Sequence, residues 1–252
     1  MSAVIGIIAA QPELKAKALA LAAKYHLPFV DSLEESGWLI KVTSEHVELV
    51  NQKDALSLPF WVDFLQGRSD ERRRKLANGA SELILRAIGV KKTERLSVWD
   101  LTAGWGRDAF MLASAGCDVT LVEGAPSVAL LLADGIERLF EVDKVISREA
   151  FKFVFANAMH YLSNATMKPD VIYLDPMYPE RNKAALVKKE MQILHELAWS
   201  DIDEVALFQR ACEQAKQRVV VKRPIYAPPL TEVKPSHQYK GKHTRFDVYL
   251  IK

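Results

Sequence analysis

Cysteine is scarce in this chain: Cys117 and Cys212 are the only two among 252 residues. Two cysteines exclude a disulfide framework and cannot supply the Cys pairs of a structural zinc site. Glycine and proline, at 11 each, are too few for a collagen-like, linker-like or broadly disordered chain. Long apolar runs are missing as well. Residues 1–10 are apolar but carry no basic flank, and Gln11, Pro12, Glu13 and Lys15 interrupt them well before the roughly 20 residues a membrane span needs. These absences predict a soluble protein of a reducing cytoplasm. His160, His195, His237 and His243 stand at no metal-ligand spacing from other His or Cys, so no metal is expected. Ser97, Ser114 and Ser127 lack a nucleophile-elbow pattern, which argues against acyl chemistry.

What is present is a large apolar fraction, 49%, enough for a sizeable core. The net charge is only +2, yet it is unevenly spread. Residues 66–95 hold nine Lys/Arg against four Asp/Glu, and residues 176–252 hold fourteen against nine. Such stretches suit either a local anion-binding face or solvated helix faces.

The pattern divides the chain at about residue 75. Residues 1–75 read as a small N-terminal α+β subdomain, with strands at 3–8, 38–42 and 46–50, a helix at 13–25 and a further possible strand at 59–65. The polar run 66–75 reads as an exposed boundary. Residues 76–252 alternate helix and strand. Helices are expected at 78–88, 107–115, 127–140, 183–197 and 203–216, and strands at 96–101, 118–123, 151–156, 171–174 and 218–221. Short apolar strands separated by helices indicate an α/β fold with a parallel sheet covered on both faces. The tail differs: residues 244–251 alternate after Lys240-Gly241-Lys242, which suggests an antiparallel hairpin at the sheet edge.

Three features carry chemistry. Strand 96–101 runs into Thr102-Ala103-Gly104-Trp105-Gly106-Arg107-Asp108-Ala109, a G-x-G-x-x-A loop opening a helix. Glycine lets the backbone approach a ligand closely, and the helix start offers unpaired N–H groups. A tight turn with no ligand would use the same glycines. The next strand ends in Glu123, 23 residues after Asp100, where a carboxylate can accept both hydroxyls of a ribose. At that point a nicotinamide cofactor and S-adenosylmethionine both remain open. The third feature favours the latter: strand 171–174 ends in Asp175-Pro176-Met177-Tyr178-Pro179. It is similar to the Asp/Asn-Pro-Pro-Tyr/Phe motif of methyltransferases acting on exocyclic or amide nitrogens, with Met177 in place of the second proline. An exocyclic amine conjugated with a base ring is a poor nucleophile. Asp175 and the carbonyl of Pro176 can accept its N–H bonds and turn its lone pair toward an electrophile, and Tyr178 offers a stacking face. The motif alone admits adenine N6, cytosine N4, guanine N2 or a glutamine amide.

Taken with Ala185-Leu186-Val187-Lys188-Lys189-Glu190-Met191 and Arg218-Val219-Val220-Val221-Lys222-Arg223-Pro224, these motifs resemble the ribosomal RNA small subunit methyltransferase J family. The resemblance is close from about residue 66 onward and looser before it. It implies a class I S-adenosylmethionine-dependent methyltransferase, Rossmann-like, with a mostly parallel seven-stranded sheet ending in an antiparallel hairpin. The implied activity is methylation of guanine N2 in small-subunit (16S) rRNA, free or within the 30S particle. It further implies Gly104, Gly106, Arg107, Asp108, Glu123, Gly124, Asn157, Ala158 and Asp175 as cofactor-binding residues. At position 124 the family commonly has Arg. Asp175, Pro176 and Tyr178 become the expected catalytic residues. With an RNA substrate implied, Arg72, Arg73, Arg74, Lys188, Lys222 and Arg223 are the expected RNA contacts. A nicotinamide-dependent oxidoreductase would leave the Asp175 loop unexplained, and a non-catalytic RNA-binding protein would leave Glu123 and Asp175 without a use.

Overall fold

The computed structural model describes residues 4–31, 37–52, 58–79, 82–91, 93–143, 145–177, 189–197 and 203–251. The expected site residues Tyr178 and Lys188 lie outside them.

Three strands form the N-terminal sheet. β1 (Val4–Ala9) pairs in parallel with β2 (Trp38–Val42), which pairs antiparallel with β3 (Val47–Asn51); α1 (Lys15–Lys24) follows β1. Residues 59–65, expected as a possible strand, make a single bridge between Phe60 and Leu49 and otherwise form no regular structure, with Val62 against Gly135 and Phe64 in the core.

The run expected to be an exposed boundary is a helix, α2 (Gly67–Ala77). Its charges stabilise it from within: Asp70–Arg74 at 2.8 Å and Glu71–Lys75 at 2.7 Å are pairs four residues apart, and Arg74 and Lys75 occupy the last turn, where the helix dipole favours cations. The helix expected at 78–88 therefore begins only at α3 (Leu83–Ile88), after a break at Gly79 with φ +84°.

The larger sheet contains β4 (Ser97–Asp100), β5 (Asp118–Glu123), β6 (Phe151–Phe155), β7 (Val171–Leu174), β8 (Arg218–Pro224), β9 (His237–Lys240) and β10 (Thr244–Leu250). Its order is β6-β5-β4-β7-β8-β10-β9; the first five strands are parallel, and β10 is antiparallel to both its neighbours. This is the seven-stranded class I methyltransferase arrangement. Helices α4 (Arg107–Ser114), α5 (Pro126–Val142), α6 (Ala158–Asn164), α7 (Lys189–Leu197) and α8 (Glu204–Gln214) occupy the connections. The sequence pattern gave no sign of α6, a helix of only seven residues. No helix among the described residues is long and apolar enough to cross a membrane.

Alternation along the strands divides the apolar residues between two cores. Val98, Val119, Val171, Tyr173 and Val220 face one layer; Trp99, Val122, Ile172, Leu174 and Val219 face the other. Burial on both faces is why these strands read as continuous apolar runs. The first core is shared with the N-terminal unit: Ile7, Ile40, Leu49 and Phe64 pack in one cluster with Phe110, Leu132 and Phe151. The described residues of the N-terminal sheet therefore pack on one side of the main sheet.

The join is tight at Gly135 of α5. A Cβ there would stand 2.9 Å from both the Cβ and the carbonyl oxygen of Val62. Gly135→Ala tests this contact. Alanine gains about 1 kcal/mol in helix propensity, while overpacking against backbone costs about 1–3 kcal/mol. The urea midpoint is expected to fall, and a rise would show that residues 59–65 are not held against α5.

Candidate active site

Ligand crevices in open α/β sheets lie beyond the carboxyl ends of the strands, where the strand order reverses. Here that point is between β4 and β7. The loop after β4 is tied to both neighbours: Leu101 N–H donates to the Tyr173 carbonyl at 3.2 Å, and Ala103 N–H to the Val122 carbonyl at 3.2 Å. The Asp175 N–H donates to Thr102 Oγ1 at 2.6 Å, which fixes the start of the Asp175 loop against the glycine loop. Gly104 and Gly106 have φ of +52° and +70°, the left-handed region that glycine tolerates best. At Gly106 a Cβ would also lie 2.7 Å from Leu132 and 3.1 Å from Phe64, so this glycine seats the start of α4 on the core. Arg107, the first residue of α4, lines a cleft of about 420 Å³ together with Phe60, Trp61 and Trp105.

Glu123 ends β5 facing this loop. One of its oxygens accepts the Gly104 N–H at 2.8 Å and the other the Ala125 N–H at 2.8 Å. Burial raises its carboxyl pKa, and these backbone donors partly offset the rise. Gly124 lies against the end of β6, where a Cβ would be 3.2 Å from the Ala156 carbonyl oxygen. Asn157 caps α6: its side-chain oxygen accepts the N–H groups of Met159 at 2.9 Å and His160 at 3.2 Å. Its amide NH2 is left to donate. Ala158 is buried as the first residue of α6.

The centre of the site is an ion cluster assembled from four elements. Lys222 Nζ of β8 lies 2.8 Å from Asp108 Oδ2 of α4 and 2.7 Å from Asp175 Oδ2 beyond β7. Asp108 also accepts from Arg72 of α2 at 3.0 Å and from the Tyr173 hydroxyl of β7 at 2.8 Å. Burial alone would raise the Asp108 carboxyl, but Lys222 and Arg72 hold it well below the usual carboxylate range. Lys222 shows the converse: burial opposes its charge, and the two aspartates hold its pKa above the ordinary lysine value. Asp175 is raised by burial and by Asp108, with Lys222 acting against both. Behind them Asp100, 2% exposed, is pushed up to about 8, chiefly by burial and further by the neighbouring aspartates.

This geometry places five of the six cations expected to contact RNA; Lys188 lies outside the described residues. Arg72 turns inward to Asp108 and Glu82. Arg73 pairs with Asp143 and Asp70 and lies over the Phe110 ring. Lys222 belongs to the acid cluster, and Arg223, 4% exposed, faces Glu204 and the Pro228 carbonyl. Arg74 remains at the surface, paired with Asp70. The residues not expected at the site, Asp100, Tyr173 and Thr102, were marked by one signal: a polar group inside or just after an apolar strand. Lys222, expected on RNA, carried the same mark.

The model of a family described as putative SAM-dependent methyltransferases matches residues 20–251. The chain is similar to the ribosomal RNA small subunit methyltransferase J of Coxiella burnetii, 43% identical over 253 residues covering 100% of this chain and 99% of that protein. The protein of the same description from Thioalkalivibrio sulfidiphilus is 44% identical, covering 98% of this chain and 97% of its own. Among solved structures, the SAM-dependent methyltransferase of Neisseria gonorrhoeae aligns with a TM-score of 0.75 at 35% identity, over 97% of this chain and 95% of that one. By fold, site and near full-length similarity, the chain belongs to the ribosomal RNA small subunit methyltransferase J family of SAM-dependent methyltransferases.

Proposed function

We propose that this protein uses S-adenosylmethionine to methylate the exocyclic N2 of a guanine in small-subunit rRNA, free or within the 30S particle. The family's description supports the cofactor and the rRNA, and the resemblance in its motifs supports guanine N2. The observation that carries the chemistry is Asp175, ionically held beyond β7 and tied to the glycine loop through Thr102.

The residues at the crevice fit the cofactor. Glu123 accepts backbone N–H groups of Gly104, Ala125 and Gly124, and of the four lone pairs of a carboxylate one is left for a ribose hydroxyl. The Asn157 amide can donate to an adenine nitrogen, and the Gly104 turn leaves the loop without a side chain there. Asp108 and Asp175 supply negative charge beside which a sulfonium is stabilised. When bound, S-adenosylmethionine provides an electrophilic methyl group; a nicotinamide would leave the Asp175 loop without a task.

The chain's own part is to orient the amine. The Asp175 carboxylate and the Pro176 carbonyl accept its two N–H groups, which draws the lone pair out of conjugation and fixes its direction. Lys222 favours the Asp175 anion against burial and Asp108 and holds the carboxylate in one orientation, with Asp108 as the fixed end of the bridge. We further propose that Tyr178 stacks on the extruded base.

Three outcomes follow. In Glu123→Ala, the ribose loses a charged acceptor worth roughly 1.5–3 kcal/mol, so S-adenosylmethionine binding should weaken about tenfold to a hundredfold by calorimetry. An unchanged affinity in a folded variant would put the ribose elsewhere. In single-turnover transfer at saturating cofactor, Asp175→Ala should slow by about a hundredfold or more, the cost of losing one preorganised partner. Asp175→Asn should keep measurable turnover that no longer falls with acidification; parental rates for Asp175→Ala would end this mechanism. Lys222→Met removes the cation that favours the Asp175 anion, so its pKa rises. The acid limb of the single-turnover rate should move up by about 1–3 pH units, and an unmoved limb would mean that Lys222 does not set the Asp175 charge.

A further inference from the structure

With Arg72, Arg73, Lys222 and Arg223 engaged internally, the RNA surface must lie elsewhere on the same edge of the sheet. β8 continues past Lys222 to Pro224 and then into the loop of residues 225–229. β10 runs antiparallel to β8 with Thr244 opposite Pro224, so the β9–β10 turn is at the carboxyl end of β8, on the Asp175 side. The Ile225 N–H donates to the His243 carbonyl at 2.9 Å and joins loop to turn.

The loop is held unusually firmly. Arg245, 4% exposed, donates to the carbonyls of Pro224 at 3.0 Å, Ile225 at 3.1 Å and Ala227 at 2.6 Å. Its charge is balanced by fully buried Asp247, with Nε 3.0 and 3.2 Å from the two carboxylate oxygens. Between the clamped residues stands Tyr226, 59% exposed. On the β9–β10 turn joined to this loop, Lys240 and Lys242 are exposed, and neither has a carboxylate within ion-pair distance among the described residues. A firmly held loop bearing a solvent-facing aromatic, joined to a turn with two uncompensated cations, suits an unpaired polynucleotide, whose bases stack on aromatic rings and whose phosphates seek cations.

We propose that Tyr226, Lys240 and Lys242 form the docking surface for the RNA strand flanking the target nucleotide, Tyr226 stacking on a neighbouring base and the lysines binding phosphates. The inference rests on the rRNA reading above. It is tested with the full chain, transcribed small-subunit rRNA and reconstituted 30S particles, by transfer of labelled methyl groups across a salt series. Lys240→Ala with Lys242→Ala should raise the KM for RNA and reduce the salt slope by about 1.4, at about 0.7 per contact to single strands. Tyr226→Ala should raise that KM about tenfold, in the range that stacking of one base contributes. Tyr226→Phe should restore it. Cofactor affinity should stay at the parental value in all three. A parent that methylates rRNA beside variants with unchanged KM and salt slope would overturn the docking surface alone. A parent that binds S-adenosylmethionine but modifies neither RNA nor particle would overturn the rRNA reading, and the docking surface with it.

Discussion

An ammonium group between two carboxylates holds the working end of this molecule together. Lys222 comes from β8, Asp108 from the first turn of α4 and Asp175 from the loop after β7. Two carboxylates, those of Asp108 and Asp175, converge at the partly covered crevice, and without a cation they would repel each other. Lys222 makes the arrangement stable, and Arg72 and the Tyr173 hydroxyl share the load on Asp108. The same contact that ties β8 to the Asp175 loop therefore bears on the charge of the residue proposed to meet the substrate amine.

Arg72 extends this constraint to the N-terminal third. It links α2 to Asp108, and Arg73 links the same helix to Asp143 at the end of α5. The N-terminal sheet also shares a core with the layer that carries the glycine loop, with Phe64 against Phe110 at 5.1 Å between ring centroids. The N-terminal unit thus braces the helix that presents Asp108. At the opposite edge Arg245 has the equivalent task, since its guanidinium organises a loop on three carbonyls while Asp247 balances its charge. Cations paired with acids position both rims of the crevice.

Much of this is legible in the amino-acid sequence. Helix–strand alternation at the period of buried parallel strands specified an α/β sheet, because apolar residues on both faces leave continuous runs. The glycine loop, Glu123 and the Asp175 motif were readable because each depends on local geometry: a left-handed turn, a strand tip, a proline-stiffened loop. Helix α2 was misread as a boundary because its stability comes from ion pairs rather than an apolar stripe. Helix α6 was missed because seven residues hold too little periodicity to register.

Sequence by itself determined which residue types stand at strand ends, and hence the family and the reaction class. It could not determine which cations face water and which face acids. Arg72, Arg73 and Arg74 are adjacent in the chain, but successive helix positions are separated by about 100°, and only the packing of α2 on α4 decides which of them meets Asp108. Lys222 and Arg223 point to opposite faces of β8, the first into the site and the second toward Glu204. Charge is a property of the residue, but its partner is a property of the tertiary structure, because opposite charges pair across elements far apart in sequence.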